Sequence, residues 1–163
     1  MSASGTSPVV ATSAGIGHTN LHPDAQAIID DVIKVRDIHA PRAKVSVLTN
    51  GTMIGRESVR RALLRVDNNI VKLDSAFDDT VRLIDDPLGN YSVAETVKNM
   101  KLFNGRLIVQ TMFLRGEYEG RTVDNTTERE VSAWLKLIEE IKPYKVMIYT
   151  VDRDTPAPDL HKV

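Results

Sequence analysis

The 163-residue sequence predicts an α/β fold built on a parallel sheet. Apolar, β-branched runs of strand length alternate with longer runs of helical period. Each strand-like run also ends in a polar segment, and three of the five segments contain glycine. Strands alternating with amphipathic helices favour parallel pairing, because each crossover helix buries its apolar stripe on the sheet. Right-handed crossovers then bring every strand-to-helix loop to one edge.

The first strand is read in "PVVATSA" (8–14), followed by the loop "GIGHTN". A helix over 23–40 places Ile28, Ile29, Val32, Ile33 and Val35 on one stripe, with Pro23 in its first turn. A second strand, "AKVSVLTNG" (43–51), ends in a turn pair, and the helix 56–66 follows with Val59, Leu63 and Val66 in phase. "NIVKLD" (69–74) is the third strand, and a short helix near 77–84 comes next. The helix 92–105 opens on the spacing Ser92 to Glu95, a capping box, and stops at Asn104-Gly105. "RLIVQTMF" (106–113) is the fourth strand, and "LRGEYEGRTVDN" reads as a long loop. The last helix, 127–141, has a second capping box from Thr127 to Glu130 and turns Trp134, Leu135, Ile138 and Ile141 inward. "KVMIYTV" (145–151) is the fifth strand. Residues 1–7 read as a flexible N-terminus, 8–151 as one domain and 152–163 as a loose tail.

The third strand raises a physical question. Side chains alternate across a strand, so Lys72 and Asp74 share one face while Val71 and Leu73 take the other. In an open sheet covered by helices on both faces, the two charges would be buried at high cost. In a curved sheet the same face lines a hollow, where charges at the carboxyl end can meet a polar ligand. The expectation is therefore a partial (βα) barrel of about five parallel strands, with helices on the outer face and one side open.

Composition excludes several functions. Net charge is −1, so no basic field recruits nucleic acid or an anionic membrane surface. No apolar run approaches the roughly 20 residues of a membrane span, and no secretion signal is evident, so a cytoplasmic location is the default expectation. There is no cysteine, which removes disulfides, thiolate metal sites and a cysteine nucleophile. His18, His22, His39 and His161 are dispersed and read as surface or loop residues, so no metal site is expected. No phosphate-binding G-x-x-x-x-G-K-[ST], G-x-S-x-G or H-E-x-x-H occurs. The carboxylate pairs Asp30-Asp31, Asp78-Asp79 and Asp85-Asp86 fall on helices or loops with no sign of converging, and no catalytic residue is assigned.

The strand-end motifs "GIGHTNLHPD", "SVLTNGT", "NNIVKLDS", "LIVQTMFLRG" and "VMIYTVDRDTP" occur in that order. Together they resemble a radical S-adenosylmethionine (radical SAM) protein over roughly residues 8–160, with the first βα unit missing. In that family, three cysteines spaced C-x₃-C-x₂-C hold a [4Fe–4S] cluster that cleaves S-adenosylmethionine reductively. A chain without cysteine cannot hold the cluster. The resemblance thus implies a truncated radical SAM domain, inactive by itself, that binds S-adenosylmethionine weakly. His18 also departs from the family's Gly-Glu-Pro-like turn.

On that resemblance the cofactor-binding residues are Gly15, Gly17, Thr49, Asn50, Lys72, Asp74, Gln110, Thr111 and Tyr149. Lys72 would meet the cofactor carboxylate, Asp74 an amine or hydroxyl, Thr49 and Asn50 the ribose or methionine, and Tyr149 the adenosine. Each has a plainer reading beside it. Lys72 and Asp74 can pair with each other; Asn50-Gly51 can simply turn the chain; a strand tyrosine usually packs with its hydroxyl satisfied. The competing function is a non-catalytic interaction module. It would pair with a separate chain, or with a second copy, along the strand edge exposed by the missing first unit.

Overall fold

The computed structural model describes residues 9–13, 25–87, 89–150 and 160–161, and side chains within these except at 9–13, 25 and 160. Five strands form a parallel sheet: β1 (Val9–Ser13), β2 (Lys44–Thr49), β3 (Asn68–Lys72), β4 (Ile108–Phe113) and β7 (Lys145–Thr150). They lie side by side in the order β1-β2-β3-β4-β7, and all four pairings are parallel. The helices between them are α1 (Ala25–His39), α2 (Glu57–Leu63), α3 (Asp78–Asp85), α4 (Val93–Lys101) and α5 (Glu128–Ile141). Every strand of the parallel sheet and every helix expected from periodicity is present, with ends shifted by a few residues.

The strand order has a direct consequence. Each strand sits beside its predecessor in this sheet, so crossovers of one hand put the helices on one side. Burial agrees. Val47, Val71, Leu73 and Val109 join Ile29, Val59, Leu63, Val81, Val97, Met100, Phe103 and Trp134 in a single core. All four strand residues belong to one alternation. The other alternation reads Ser46, Leu48, Ile70, Lys72, Asp74, Ile108, Gln110, Met112 and Met147, of which Ser46, Asp74 and Ile108 are buried and the rest are part-exposed. Among the described residues, the sheet is open at β1 and β7, and no pairing closes it into a barrel.

The polypeptide read as a long loop is a hairpin instead. β5 (Arg115–Tyr118) and β6 (Arg121–Asp124) pair antiparallel, and β8 (Leu160–His161) adds to the far side of β5. The turn is two residues, Glu119 and Gly120, with φ of 51° and 71°. Two successive positive φ values make the turn whose twist suits a tight hairpin. The sequence concealed it because the strands are four residues each and largely exposed; Val123 alone among their side chains is buried.

Neither expected capping box closes in full: Thr127 caps its helix, but the Glu130 carboxylate accepts from Ser75 and Thr80 instead. The Glu130 amide donates to Thr127 Oγ1 at 3.3 Å, as a cap requires. Ser92 makes no side-chain cap; Asp78 Oδ1 takes the Val93 amide instead, at 2.6 Å. That bond ties the start of α4 to the start of α3, and it places a carboxylate where the helix dipole favours one.

Candidate functional site

The carboxyl end of β3 is fastened by the chain on both sides of it. Thr111 Oγ1 donates to the Leu73 carbonyl at 2.8 Å, and Trp134 Nε1 donates to the same carbonyl at 3.2 Å. Asn125, 1 % exposed, works as a three-way clip. Its Nδ2 donates to the carbonyls of Asp74 and Met112, both at 2.7 Å, and its Oδ1 accepts from the Leu114 amide at 2.8 Å. Beside it, Glu130 accepts from Ser75 Oγ at 2.6 Å and Thr80 Oγ1 at 2.7 Å, anchoring α5 to the β3–α3 loop. The hydroxyl and carboxamide types here suit buried backbone that has left the sheet ladder and still needs partners.

On the helix-free alternation this rigid frame holds a charge cluster. Lys72 Nζ lies 3.0 Å from Asp74 Oδ2 and pairs as well with Asp85 Oδ1 at the end of α3. Asp74 is fully buried, and its Oδ1 accepts from the Met112 amide at 2.6 Å. The Lys72 side chain is 22 % exposed and that of Asp85 16 %. Lys72 therefore covers Asp74, and the groups a ligand can reach are Lys72 and Asp85. Gln110 stands beside Lys72 in register and Tyr149 beside Met112, both on the same face. The Gln110 Oε1 is buried with no hydrogen-bond partner among the described residues.

Electrostatics follow from this packing. Burial, followed by the Asp85 charge, pushes the Asp74 carboxyl up to about 7, against the opposing pull of Lys72 and the Met112 amide. Burial alone would lower the Lys72 ammonium, but the two carboxylates reverse that and hold it above its ordinary value. Burial and the Asp74 charge likewise raise the Tyr149 phenol. Because the folded Asp74 value lies above the unfolded one, near 3.9, its contribution to stability is complete below about pH 4. It is lost as pH rises through about 7. Urea unfolding is thus expected to have a higher midpoint at about pH 5.5 than at about pH 8; equal midpoints would contradict the shift.

The sequence-derived site residues separate on the two faces. Lys72, Asp74, Gln110 and Tyr149 come together. Thr111 points the other way, fully buried, and accepts from Trp134 Nε1 at 3.1 Å. Thr49, 1 % exposed, accepts the Gly51 amide at 3.2 Å, and Asn50 Oδ1 accepts the amide and hydroxyl of Thr52. Both build the turn after β2. Gly15 and Gly17 lie outside the described residues. Among the described residues, no group of three His, Asp or Glu side chains is placed to hold a metal ion. Sequence reasoning missed Asp85, which it took for one of a non-converging pair. Its contact with Lys72 spans 13 residues and passes through space, where no spacing rule operates.

No family model matches the chain. Two curated proteins are similar to it. Over 148 residues it is 27 % identical to "GTPase Obg" of Brachyspira hyodysenteriae, covering 88 % of this chain and 20 % of that protein. Over 152 residues it is 29 % identical to "UPF0026 protein slr1464" of Synechocystis sp., covering 90 % of this chain and 52 % of that protein. The chain spans about half or less of the length of the relatives it matches. Neither is named as a radical SAM protein, and this chain contains no cysteine. The radical SAM resemblance is therefore corrected: it rested on the joint order of short strand-end motifs, each weak alone, and that order follows from alternating strands and helices with polar loops and does not by itself specify the family. The truncated-enzyme reading and its iron–sulfur chemistry fall with it, and the relatives give the interaction-module alternative no specific support.

Proposed function

We propose that this chain is a small-molecule-binding domain whose ligand carries a protonated amine and docks on the helix-free face at the carboxyl rim. The observation that carries the reading is the Lys72–Asp74–Asp85 cluster, in which two carboxylates share one ammonium. A buried group of that composition has one acceptor charge in excess once Asp74 is ionised. The unpartnered Gln110 Oε1 beside it is one more acceptor. A ligand ammonium supplies the missing cation and donors, and its arrival expels the proton that Asp74 otherwise keeps. S-adenosylmethionine, with its amine and sulfonium, stays a candidate ligand on this chemistry, without any radical step. A sheet curved around the ligand, as in a partial barrel, fits the single-sided helices.

The name GTPase of one relative suggests guanine-nucleotide chemistry. The absence of a G-x-x-x-x-G-K-[ST] segment from these 163 residues weighs against that reading here. Among the described residues, no helix is long and apolar enough to cross a membrane. Pairing of a partner chain or second copy along β1 also stays a proposal, supported by a strand that, among the described residues, pairs on one side alone.

Methionine-methyl NMR tests the ligand reading, because Met112 and Met147 report from the helix-free face and Met100 from the core. Adding S-adenosylmethionine is expected to move the first two signals and leave Met100 in place. Binding should tighten as pH rises through about 7 and weaken at least tenfold in Asp85→Asn, about 1.4 kcal/mol. If neither S-adenosylmethionine nor simpler primary amines moves Met112 or Met147, the reading is wrong.

A further inference from the structure

The opposite rim of the sheet carries a second feature, independent of the charge cluster. Asn69 is 3 % exposed in β3, yet both its Nδ2 and its Oδ1 lack hydrogen-bond partners among the described residues. A buried carboxamide with neither end satisfied is costly, and such groups are rare in native folds. Asn69 lines an open cleft of about 460 Å³, whose size lies in the range of small-ligand pockets. The cleft lies among the helix-to-strand turns at the amino ends of β3, β4 and β7. Leu63, Leu64 and Val66 give it an apolar wall, Tyr144 an aromatic one, and Arg106 and Lys142 stand at it as exposed cations.

The turns that frame the cleft are rigid. The Gly105 carbonyl accepts from the Tyr144 amide at 2.9 Å, and a Cβ on Gly105 would meet the Lys142 carbonyl at 2.8 Å. Asp67, at the same rim, is held by the Val45 amide and Arg36, so its charge is already occupied.

We propose that this cleft binds an adenine nucleotide. A carboxamide presents one donor and one acceptor side by side, and adenine answers with N7 and the N6 amino group. The apolar and aromatic walls fit a planar base. The two cations fit a phosphate outside it.

Calorimetric titration of the full chain with adenosine 5′-monophosphate, adenosine and inosine 5′-monophosphate tests this. The adenine nucleotide should bind, and adenosine more weakly. Inosine 5′-monophosphate should bind at least tenfold more weakly still than the adenine nucleotide, because an oxygen replaces the amino group and leaves Asn69 Oδ1 unmet. Arg106→Ala should narrow the gap between nucleotide and nucleoside without touching the buried wall. Asn69→Leu should abolish the preference for adenine over hypoxanthine. The Met112 and Met147 signals should not move, which separates this site from the one at the carboxyl rim. No nucleotide binding at millimolar concentration, equal affinity for the two bases, or adenine preference unchanged in Asn69→Leu would each overturn the assignment, the first leaving Asn69 to an ordered water.

Discussion

Lys72→Met is expected to destabilise the protein by about 3–5 kcal/mol at about pH 8, the range for breaking a buried pair on one side. The substitution keeps much of the side-chain volume and removes the ammonium, so two carboxylates are left facing each other. Asp74 cannot turn to water, because its side chain is fully buried and its Oδ1 is fixed on the Met112 amide. One of the pair must take a proton, and that costs more the higher the pH. The loss should therefore shrink at about pH 5, where Asp74 is already protonated. Adding Asp85→Asn to Lys72→Met should recover part of it, so that the double variant loses at least about 1 kcal/mol less than the sum of the singles. Denaturant titrations of the four proteins at the two pH values measure this. A loss below about 1 kcal/mol at both would mean that the cluster is a solvated surface group.

Asn125→Ala should cost a similar amount, about 3–5 kcal/mol, for a different reason. It leaves the Asp74 and Met112 carbonyls and the Leu114 amide without the partner that Asn125 gives them. Each buried backbone group so stranded costs about 1–3 kcal/mol, less whatever water can repair. The damage is also local in a way that stability alone does not show. Asp74 sits between the Asn125 clip and the Met112 bond, so loosening the clip should free Asp74 and lower its proton affinity toward the ordinary carboxylate range. Amide exchange at residues 112–114 should accelerate well beyond the global change. Uniform acceleration across the sheet would instead mean that Asn125 adds stability without fixing the site.

The parallel framework was legible because its signals are long. The helical stripe of residues 127–141 and the apolar strands at 43–51 and 106–113 repeat their period over several turns or pleats. Alternation also placed Lys72 and Asp74 together correctly, and the ion pair at 3.0 Å follows from it. Alternation failed to show depth: it could not tell that Asp74 lies beneath Lys72, or that Thr111 turns into the core while Gln110 turns out. Asp85 and Asn125 were invisible because each reaches the site from a distant segment: a helix end in one case, and the residue after a short exposed hairpin in the other. Ser92 shows the limit of local rules. Its capping spacing was present, yet its side chain makes no cap, and Asp78 from another helix holds a different amide of that first turn, Val93.

Burial on the helix-free face, with Asp85 beside it, raises the proton affinity of the ammonium-covered Asp74 carboxyl. Carboxyl ¹³C NMR of Asp74 across pH 3 to 9 measures that directly. The expected result is a titration midpoint at about 7, as burial and Asp85 dictate, with an upward move in Lys72→Met. A midpoint near 3.9, the value of an exposed aspartate, would contradict it and remove the basis for an amine-binding site on this face.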